Sequence, residues 1–159
     1  INVQKKGKVR FIGSSSTLPS LSDLVEMEIF DAFQIPYSAL NREHEKWITN
    51  AHITGAGTII RGGVSKGFSS SSTNQTKASK EWEKYREAKL EDLVEDDESP
   101  TSFILRFTLS HANINTIIVG TKNPEHLKQN IRSFHKGALS QDIYEQAKNR
   151  LENVGVHPI

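Results

Sequence analysis

The amino-acid sequence predicts an α/β fold in which parallel strands alternate with helices. Four short runs rich in β-branched and aromatic residues recur along the chain, and each is followed by a stretch whose apolar residues have helical spacing. Each run ends in small or polar residues but does not begin with them. In α/β barrels this carboxyl edge of the strands binds ligands. Four units do not close a barrel, so we expect one domain over residues 1–159 with an open parallel sheet.

The first two units occupy the amino-terminal third of the chain. An apolar-leaning strand at 7–16 ends in glycine and three serines, and the apolar spacing at 21–29 predicts the helix that follows. A second strand at 30–37 ends near a proline, which cannot continue a central ladder. The next helix, at about 43–54, is polar, and Gly55 follows it where left-handed residues end helices.

The third unit contains an insertion. Its strand, at 57–61, runs into a pair of glycines, and the serine-rich residues 69–76 form a low-complexity loop. Residues 77–97 are highly charged and have few large apolar side chains. This pattern predicts a solvated helix that contacts the body along a narrow apolar stripe. Loop and charged helix together form a predicted insertion at 68–100.

The fourth unit contains a turn that suits an anion. The β-branched run at 116–119 is typical of a strand buried on both faces. It is followed by Asn123, which can cap a helix, by Pro124, which suits the first helical position, and by Glu125, which favours the positive end of the helix dipole. A strand end, a glycine and a helix N-terminus together can bind an anion, although many such turns bind nothing. The other helices are predicted at 101–111, from 123 to about 133, and from 140 to before 155.

The composition excludes several classes of protein. With 20 Lys and Arg residues against 19 Asp and Glu residues, the formal charge of +1 gives no basic field for nucleic acid. The absence of cysteine excludes disulfides and thiolate metal sites, and it agrees with a reducing cytoplasm. No apolar run is long enough to span a membrane. The histidines form no metal-binding pair, and those other than His126 (His44, His52, His111, His135 and His157) are interpreted as surface or hydrogen-bonded side chains. We therefore expect a cytoplasmic protein with no metal ion, bound to neither nucleic acid nor membrane.

Three segments resemble signatures of the aldo/keto reductase family. They are GKVRFIGSSS at 7–16, FDAFQIPYSALNREHE at 30–45 and TIIVGTKNPEHLKQNI at 116–131, and GTIIRGGVSKG at 57–67 lies where the family's seventh strand turns. The resemblance implies that these are strands five to eight of a (β/α) barrel, so that the chain is a half-barrel. The first four strands, which carry the family's catalytic Asp, Tyr, Lys and His, are then absent. An isoleucine at position 1 agrees with a fragment or a processed product.

The same resemblance assigns residues to an NADP(H) cofactor. Ser15 and Ser16 correspond to the Ser-Asn pair that hydrogen-bonds the nicotinamide carboxamide, and Gln34 corresponds to the glutamine that assists it. Arg61 lies where the family often has an aromatic residue on the nicotinamide, and a guanidinium can also stack there. A lysine beside a helix N-terminus favours NADP over NAD. The remaining assignments are Gly62, Val64 and Lys66 along the pyrophosphate, Gly120, Thr121, Lys122 and His126 around the 2′-phosphate, and Gln129 and Asn130 near adenine.

Each assignment has a plainer alternative. Three serines in a row are more often a loop than a ligand site, and a pair of glycines is common in ordinary tight turns. Gln34 needs partners, because an amide buried without hydrogen bonds is costly. Two functions stay open. The chain is either the cofactor-binding half of an NADP(H)-dependent reductase, inactive without its amino-terminal half, or a stand-alone half-barrel that self-associates and performs no chemistry.

Overall fold

The computed structural model describes residues 2–65 and 77–159 of the chain. The predicted loop at 69–76 and the proposed ligand Lys66 lie outside these residues. The four predicted strands form one parallel sheet in sequence order, which confirms the α/β fold. The strands are β1 (Gly13–Ser15), β2 (Ala32–Pro36), β3 (Gly57–Arg61) and β4 (Thr116–Ile118). The helices are α1 (Asn2–Lys5), α2 (Ser20–Glu26), α3 (Glu45–Ile53), α4 (Lys77–Glu87), α5 (Pro100–Leu109), α6 (Pro124–Lys136) and α7 (Gln141–Asn153).

The register of the strands separates two faces of the sheet. Gln34 pairs with Ser15 on one side and with Ile59 on the other, so these three side chains point to the same face. That face, called here the open face, is only partly covered by the chain. Phe33 and Ile35 point the other way and are fully buried. One covered face and one open face are what half of a barrel would have.

The core lies between the covered face and the helices. Aromatic rings join these layers, because the ring centroid of Phe107 in α5 lies 4.8 Å from that of Tyr144 in α7 and 6.3 Å from that of Tyr37. Close aromatic pairs contribute roughly 0.5–1.5 kcal/mol each beyond the burial of their area. The helices contribute buried side chains that include Leu21, Val25, Ile48, Ala51, Phe103, Ile104, Ala147 and Leu151.

A buried arginine ties the segment between β2 and α3 to the last helix. Arg42 is 1% exposed, and its Nε donates to Glu45 Oε2 at 2.6 Å. Its Nη2 donates to Glu152 Oε1 at 3.2 Å, and its Nη1 donates to the carbonyl oxygens of Lys148 and Val156, both at 3.3 Å. Burial opposes the charge, but the hydrogen bond and the attraction of Glu45 outweigh it and raise the pKa of Arg42 above its usual value. This cluster fixes a segment that borders the carboxyl edge of the sheet.

The first strand is shorter than predicted. Pairing begins at Gly13 opposite Ala32, and residues 7–12 have no strand to pair with because β2 begins only at Ala32. Val9 and Phe11, which were predicted to lie in the strand, are 41% and 68% exposed. The prediction of a strand over residues 7–12 is therefore wrong.

The fourth strand is not buried on both faces, contrary to the prediction. Thr116 and Ile118 are exposed, and Ile117 between them is only partly buried. Among the described residues β4 pairs only with β3, so it forms an edge of the sheet. A β-branched run indicates a strand, but burial on both faces also needs a second neighbouring strand.

The charged segment forms a helix and a separate turn. Lys89, which follows α4, has a φ angle of +50°, and a short 3-10 turn begins at the next residue. A left-handed residue cannot continue a right-handed helix, so the segment breaks there. Trp82, Tyr85 and Leu90 are buried and make up the narrow apolar stripe that was predicted.

Candidate functional site

The residues predicted to bind the nicotinamide meet at the carboxyl edge of the sheet. Ser15 ends β1 and pairs in register with Gln34 of β2. The Ser15 hydroxyl donates to Gln34 Oε1 at 3.0 Å, and the Ser16 amide donates to the Gln34 carbonyl oxygen at 3.3 Å. The Ser16 hydroxyl is turned toward the carbonyl oxygen of Thr17, 3.4 Å away. No described residue accepts a hydrogen bond from the Gln34 side-chain nitrogen, so that amide can donate to a ligand.

Arg61 borders a cavity of about 340 Å³ at this edge. It ends β3 on the open face, two residues beyond Ile59, which pairs with Gln34. The volume falls in the range of small-molecule pockets, roughly 300–1,000 Å³. Segments that follow β1, β2 and β3 line the cavity, together with one residue of α4: Thr17, Leu18, Pro36, Tyr37, Ser38, Asn41, Glu43, His44, Arg61, Gly62, Ser65 and Glu81.

The two glycines after β3 have different physical roles. Gly62 has a φ angle of +73°, which favours glycine, and a side chain there would have open space around it. A Cβ on Gly63 would lie 2.9 Å from Ile117 Cγ2 and 3.3 Å from Thr108 Cγ2. Gly63 therefore lets the turn after β3 pack closely on α5 and β4. Val64, predicted to lie along the pyrophosphate, is half-buried.

The cavity includes residues that the sequence did not single out. His44 is 3% exposed, and its Nε2 accepts a hydrogen bond from the Leu18 amide at 3.2 Å. This contact holds the loop after β1 against the start of α3. Asn41 Oδ1 is buried and has no hydrogen-bond partner among the residues that the structure describes. The Ser38 and Ser65 hydroxyl oxygens lie 2.7 Å apart and join the turns after β2 and β3.

Tyr37, which lines the cavity, is not poised for proton transfer. Burial raises the pKa of Tyr37 well above the usual tyrosine range, and neighbouring Tyr144 and Glu45 raise it further. The two tyrosine hydroxyl oxygens lie 3.3 Å apart. Burial also raises the pKa of Tyr144 to about 12. A raised pKa makes each hydroxyl a weaker acid than an exposed tyrosine, and the two buried hydroxyls are hydrogen-bonded to each other, so we assign Tyr37 a packing role.

The residues predicted to bind the 2′-phosphate lie on the turn between β4 and α6 and, in the case of His126, in the first turn of α6. Thr121, Lys122 and His126 are all exposed. Thr121 Oγ1 accepts from the Asn123 amide at 3.1 Å, and Asn123 Oδ1 accepts from the Glu125 amide at 2.9 Å. The predicted helix cap at Asn123 is confirmed. Because two backbone N–H groups are already bonded, a phosphate here would depend mainly on the side chains of Lys122 and His126.

The two residues predicted to lie near adenine border different cavities. Gln129 Nε2 donates to Ser99 Oγ at 2.5 Å, and Gln129 borders a cavity of about 400 Å³ that Glu125 and Arg132 also line. Asn130 borders a groove of about 410 Å³ lined by α5, α6 and β4. The structure therefore does not bring Gln129 and Asn130 into one pocket.

Residues 2–65 and 77–159 contain neither a candidate metal cluster nor a helix that could span a membrane. No group of three or more His, Cys, Asp or Glu side chains in these ranges could hold a metal ion. None of the described helices is both long enough and apolar enough to cross a bilayer.

An open parallel sheet that gathers polar side chains at its carboxyl edge has the architecture of ligand-binding (β/α) barrels. The chain belongs to the aldo/keto reductase family, whose family model matches residues 2–151. This family usually uses nicotinamide cofactors. No curated protein sequence matches the chain at a significant level.

Two solved structures share the fold. They are the holo and apo forms of the aldo-keto reductase AKR11C1 from Bacillus halodurans, which are 17% and 16% identical to this chain, each with a TM-score of 0.74. Each match covers 94% of this chain but only 51% or 53% of the reductase. The chain thus spans about half the length of these relatives, and the likeness shows the fold alone.

Proposed function

We propose that the chain is the cofactor-binding half of an NADP(H)-dependent aldo/keto reductase and forms strands five to eight of its barrel. The observation that carries the proposal is the Ser15–Gln34 hydrogen bond on adjacent strands, in a chain of this family. A nicotinamide carboxamide offers a carbonyl acceptor and an amide donor. The Gln34 amide nitrogen and the Ser15 hydroxyl oxygen complement these groups. The residues present therefore fit the nicotinamide end of the cofactor.

The rest of the cofactor would cross the ends of β3 and β4. Arg61 would stack on the nicotinamide ring, with Gly62 and Val64 beside the pyrophosphate and Lys66 as a further cation. Gly120 and Thr121 would lie beside the 2′-phosphate, and Lys122 and His126 would bind it as the exposed cation and imidazole at the start of α6. Gln129 is the better of the two candidates for an adenine contact, because Asn130 borders a separate apolar groove.

The chain's part in the reaction would be to bind and orient the cofactor. NADPH supplies a hydride to a carbonyl carbon when it is bound. The acid that protonates the carbonyl oxygen would come from an amino-terminal half, where the family resemblance places the catalytic tyrosine. Losing a positioned general acid costs roughly 10²–10⁴-fold in rate. We expect the purified chain to consume no NADPH above background with a panel of aldehydes.

The open edges of the sheet need a partner. The open sheet would be completed by the missing amino-terminal half or by a second copy of the chain. A cytoplasmic location stays a prediction that rests on the cysteine-free composition.

The test of cofactor choice is Lys122→Glu. A well-made charge-assisted hydrogen bond contributes roughly 1.5–3 kcal/mol, so we expect NADP(H) to bind about tenfold more weakly or worse, with NAD(H) nearly unchanged. Titration calorimetry would measure the dissociation constants of NADP(H) and NAD(H). The preparation must bind cofactor, so it is either a dimer of this chain or its complex with an amino-terminal half. Lys128→Glu, which changes an exposed lysine within α6 six residues further along the chain, is the matched control. His126→Ala should weaken NADP(H) binding less, because a neutral imidazole contributes one hydrogen bond and little charge.

Three outcomes would contradict the proposal. Equal losses for both cofactors in the Lys122 variant would show an effect on folding and not on phosphate recognition. An equal loss in the Lys128 control would show a general effect of charge. If neither cofactor binds the unmodified chain in either preparation, the stand-alone structural alternative is favoured.

A further inference from the structure

The side-chain amide of Gln129 is held by a serine on another helix. Gln129 lies in α6, and its Nε2 donates to the Oγ of Ser99, the residue that caps the start of α5. Ser133 Oγ, one turn further along α6, donates to the Gln129 carbonyl oxygen at 3.0 Å. No described residue donates to Gln129 Oε1. The amide nitrogen is therefore bonded to Ser99, and the amide oxygen is the atom left for a ligand.

Ser99 is itself fixed on both sides of its hydroxyl. The Ser102 amide donates to Ser99 Oγ at 3.1 Å, and the two serine hydroxyl oxygens lie 2.9 Å apart. Pro100 follows Ser99 and restricts its backbone to the extended conformation, which it has with a ψ angle of 155°. Ser99 Oγ accepts from the Ser102 amide and from Gln129, which leaves its one hydrogen for the Ser102 hydroxyl. A Gln129 amide turned over by half a turn would then bring two acceptor oxygens together.

The cavity that Gln129 borders suits a neutral ligand that donates hydrogen bonds. Its volume of about 400 Å³ falls in the range of small-molecule pockets, roughly 300–1,000 Å³. Ser99 does not line it. The charged side chains that line it are three carboxylates and two cations: Asp97, Glu98, Glu125, Arg132 and Lys136. This balance gives no excess of positive charge for a phosphate, so a base fits better here than a phosphate group does.

We infer that Ser99 is a positioning residue that makes this cavity select a purine with a 6-amino group over one with a 6-oxo group. The inference rests on the proposed function, in which Gln129 contacts the adenine of the cofactor. A 6-amino group donates to an acceptor such as Gln129 Oε1, whereas a 6-oxo group is itself an acceptor and is repelled. An amide that is free to turn over could satisfy either base. The hydrogen bond to Ser99 removes that freedom.

The test compares NADPH with its hypoxanthine analogue, which has a 6-oxo group in place of the 6-amino group. Titration calorimetry of the cofactor-binding preparation gives the ratio of the two dissociation constants. In the unmodified chain the analogue should bind roughly tenfold more weakly, because it loses a hydrogen bond and leaves an acceptor unpaired in a half-buried site. In Ser99→Ala the amide can present its nitrogen to the 6-oxo group, so the ratio should fall to about twofold or less. Ser99→Thr keeps a hydroxyl and should keep the ratio.

Two controls separate positioning of the amide from the loss of a helix cap. Ser140 caps α7 as Ser99 caps α5, since its Oγ accepts from the Ile143 amide at 3.4 Å. Ser140→Ala therefore removes a cap without touching Gln129 and should leave the ratio unchanged. Gln129→Glu is the sharper control, because both oxygens of a carboxylate accept and its orientation no longer matters. In the Gln129→Glu background, Ser99→Ala should not change the ratio.

Three results would overturn the inference while the proposed function stands. They are equal affinities for NADPH and its analogue in the unmodified chain, a ratio that Ser99→Ala leaves unchanged, and a ratio that Ser99→Ala and Ser140→Ala lower equally. A ratio that still falls with Ser99→Ala in the Gln129→Glu background would overturn it as well, since Ser99 would then act through the fold and not through the amide. If neither NADPH nor the analogue binds the unmodified chain in either preparation, the proposed function fails and the inference fails with it.

Discussion

The two ends of the candidate cofactor site are built in different ways. At the nicotinamide end, Ser15 and Gln34 lie on paired strands, and the loop after β1 is held by the buried His44. At the phosphate end, Lys122 and His126 are exposed, and they lie four residues apart on either side of the start of α6. The first end is positioned by long-range packing before any ligand binds, whereas the second depends on local turn chemistry. Substitutions near the first should therefore change the stability of the fold, and substitutions at the second should change affinity alone.

The largest expected effect is that of Arg42→Ala. It removes the buried guanidinium that joins the β2–α3 segment to α7 and leaves Glu45 without its closest partner. Breaking a buried ion pair typically lowers the free energy of unfolding by about 3–5 kcal/mol. We expect a loss of about 3 kcal/mol, because Lys148 Nζ lies 3.3 Å from Glu45 Oε1 and still neutralises part of its charge. Urea denaturation measures the change. Lys122→Ala at the phosphate end should change the free energy of unfolding by less than about 0.5 kcal/mol, and an equal loss would remove the distinction between the two ends.

A smaller effect is expected from a matched pair of glycine substitutions. In Gly63→Ala the new Cβ would lie 2.9 Å from Ile117 Cγ2, so packing after β3 must shift at a cost of about 1–3 kcal/mol. Gly120→Ala, on the turn after β4, meets nothing within 4 Å and should change stability by less than about 0.5 kcal/mol. Thermal unfolding of both variants measures the difference. Equal stabilities would show that the turn after β3 relaxes as freely as the exposed turn.

The smallest expected effect is a dependence of stability on pH that originates in His111. This imidazole is 9% exposed, its Nδ1 accepts from the Asn113 amide at 3.2 Å, and burial lowers the pKa of His111 below its usual value. A lowered pKa means that folding favours the neutral form, so the stability is fully present above about pH 6.5 and falls as the pH drops below it. Urea denaturation at pH 7.5 and pH 5 should show the loss in the unmodified chain.

A pair of histidine variants assigns this pH dependence. His111→Gln removes the titrating side chain and should reduce the slope of the free energy of unfolding against pH. His135 is exposed, and His135→Gln should leave that slope unchanged. An unchanged slope in the His111 variant would place the titrating group elsewhere.

The sequence predicted the local features of the site well. The cap at Asn123, the left-handed Gly55 and the strand at Gly57–Arg61 all depend on neighbouring residues, and the structure has each of them. The sequence predicted polar residues at the carboxyl ends of the strands, and the family resemblance singled out Ser15 and Gln34; that these two residues pair in register is seen only in the structure. Asn41 and His44 were not identified as cavity residues, because their position against the loop after β1 depends on how Arg42 ties their segment to a helix more than a hundred residues away.

The sequence by itself determined where the four strands and most of the helices lie and which polar side chains lie at strand ends. Those features follow from side-chain periodicity and turn chemistry, which act over a few residues. The tertiary structure alone decided that β4 is exposed along one face, that residues 7–12 form no strand, and that Gln129 and Asn130 border different cavities. Burial and pairing depend on neighbours that are distant in sequence, so the same β-branched run can lie in the middle of a sheet or at its edge.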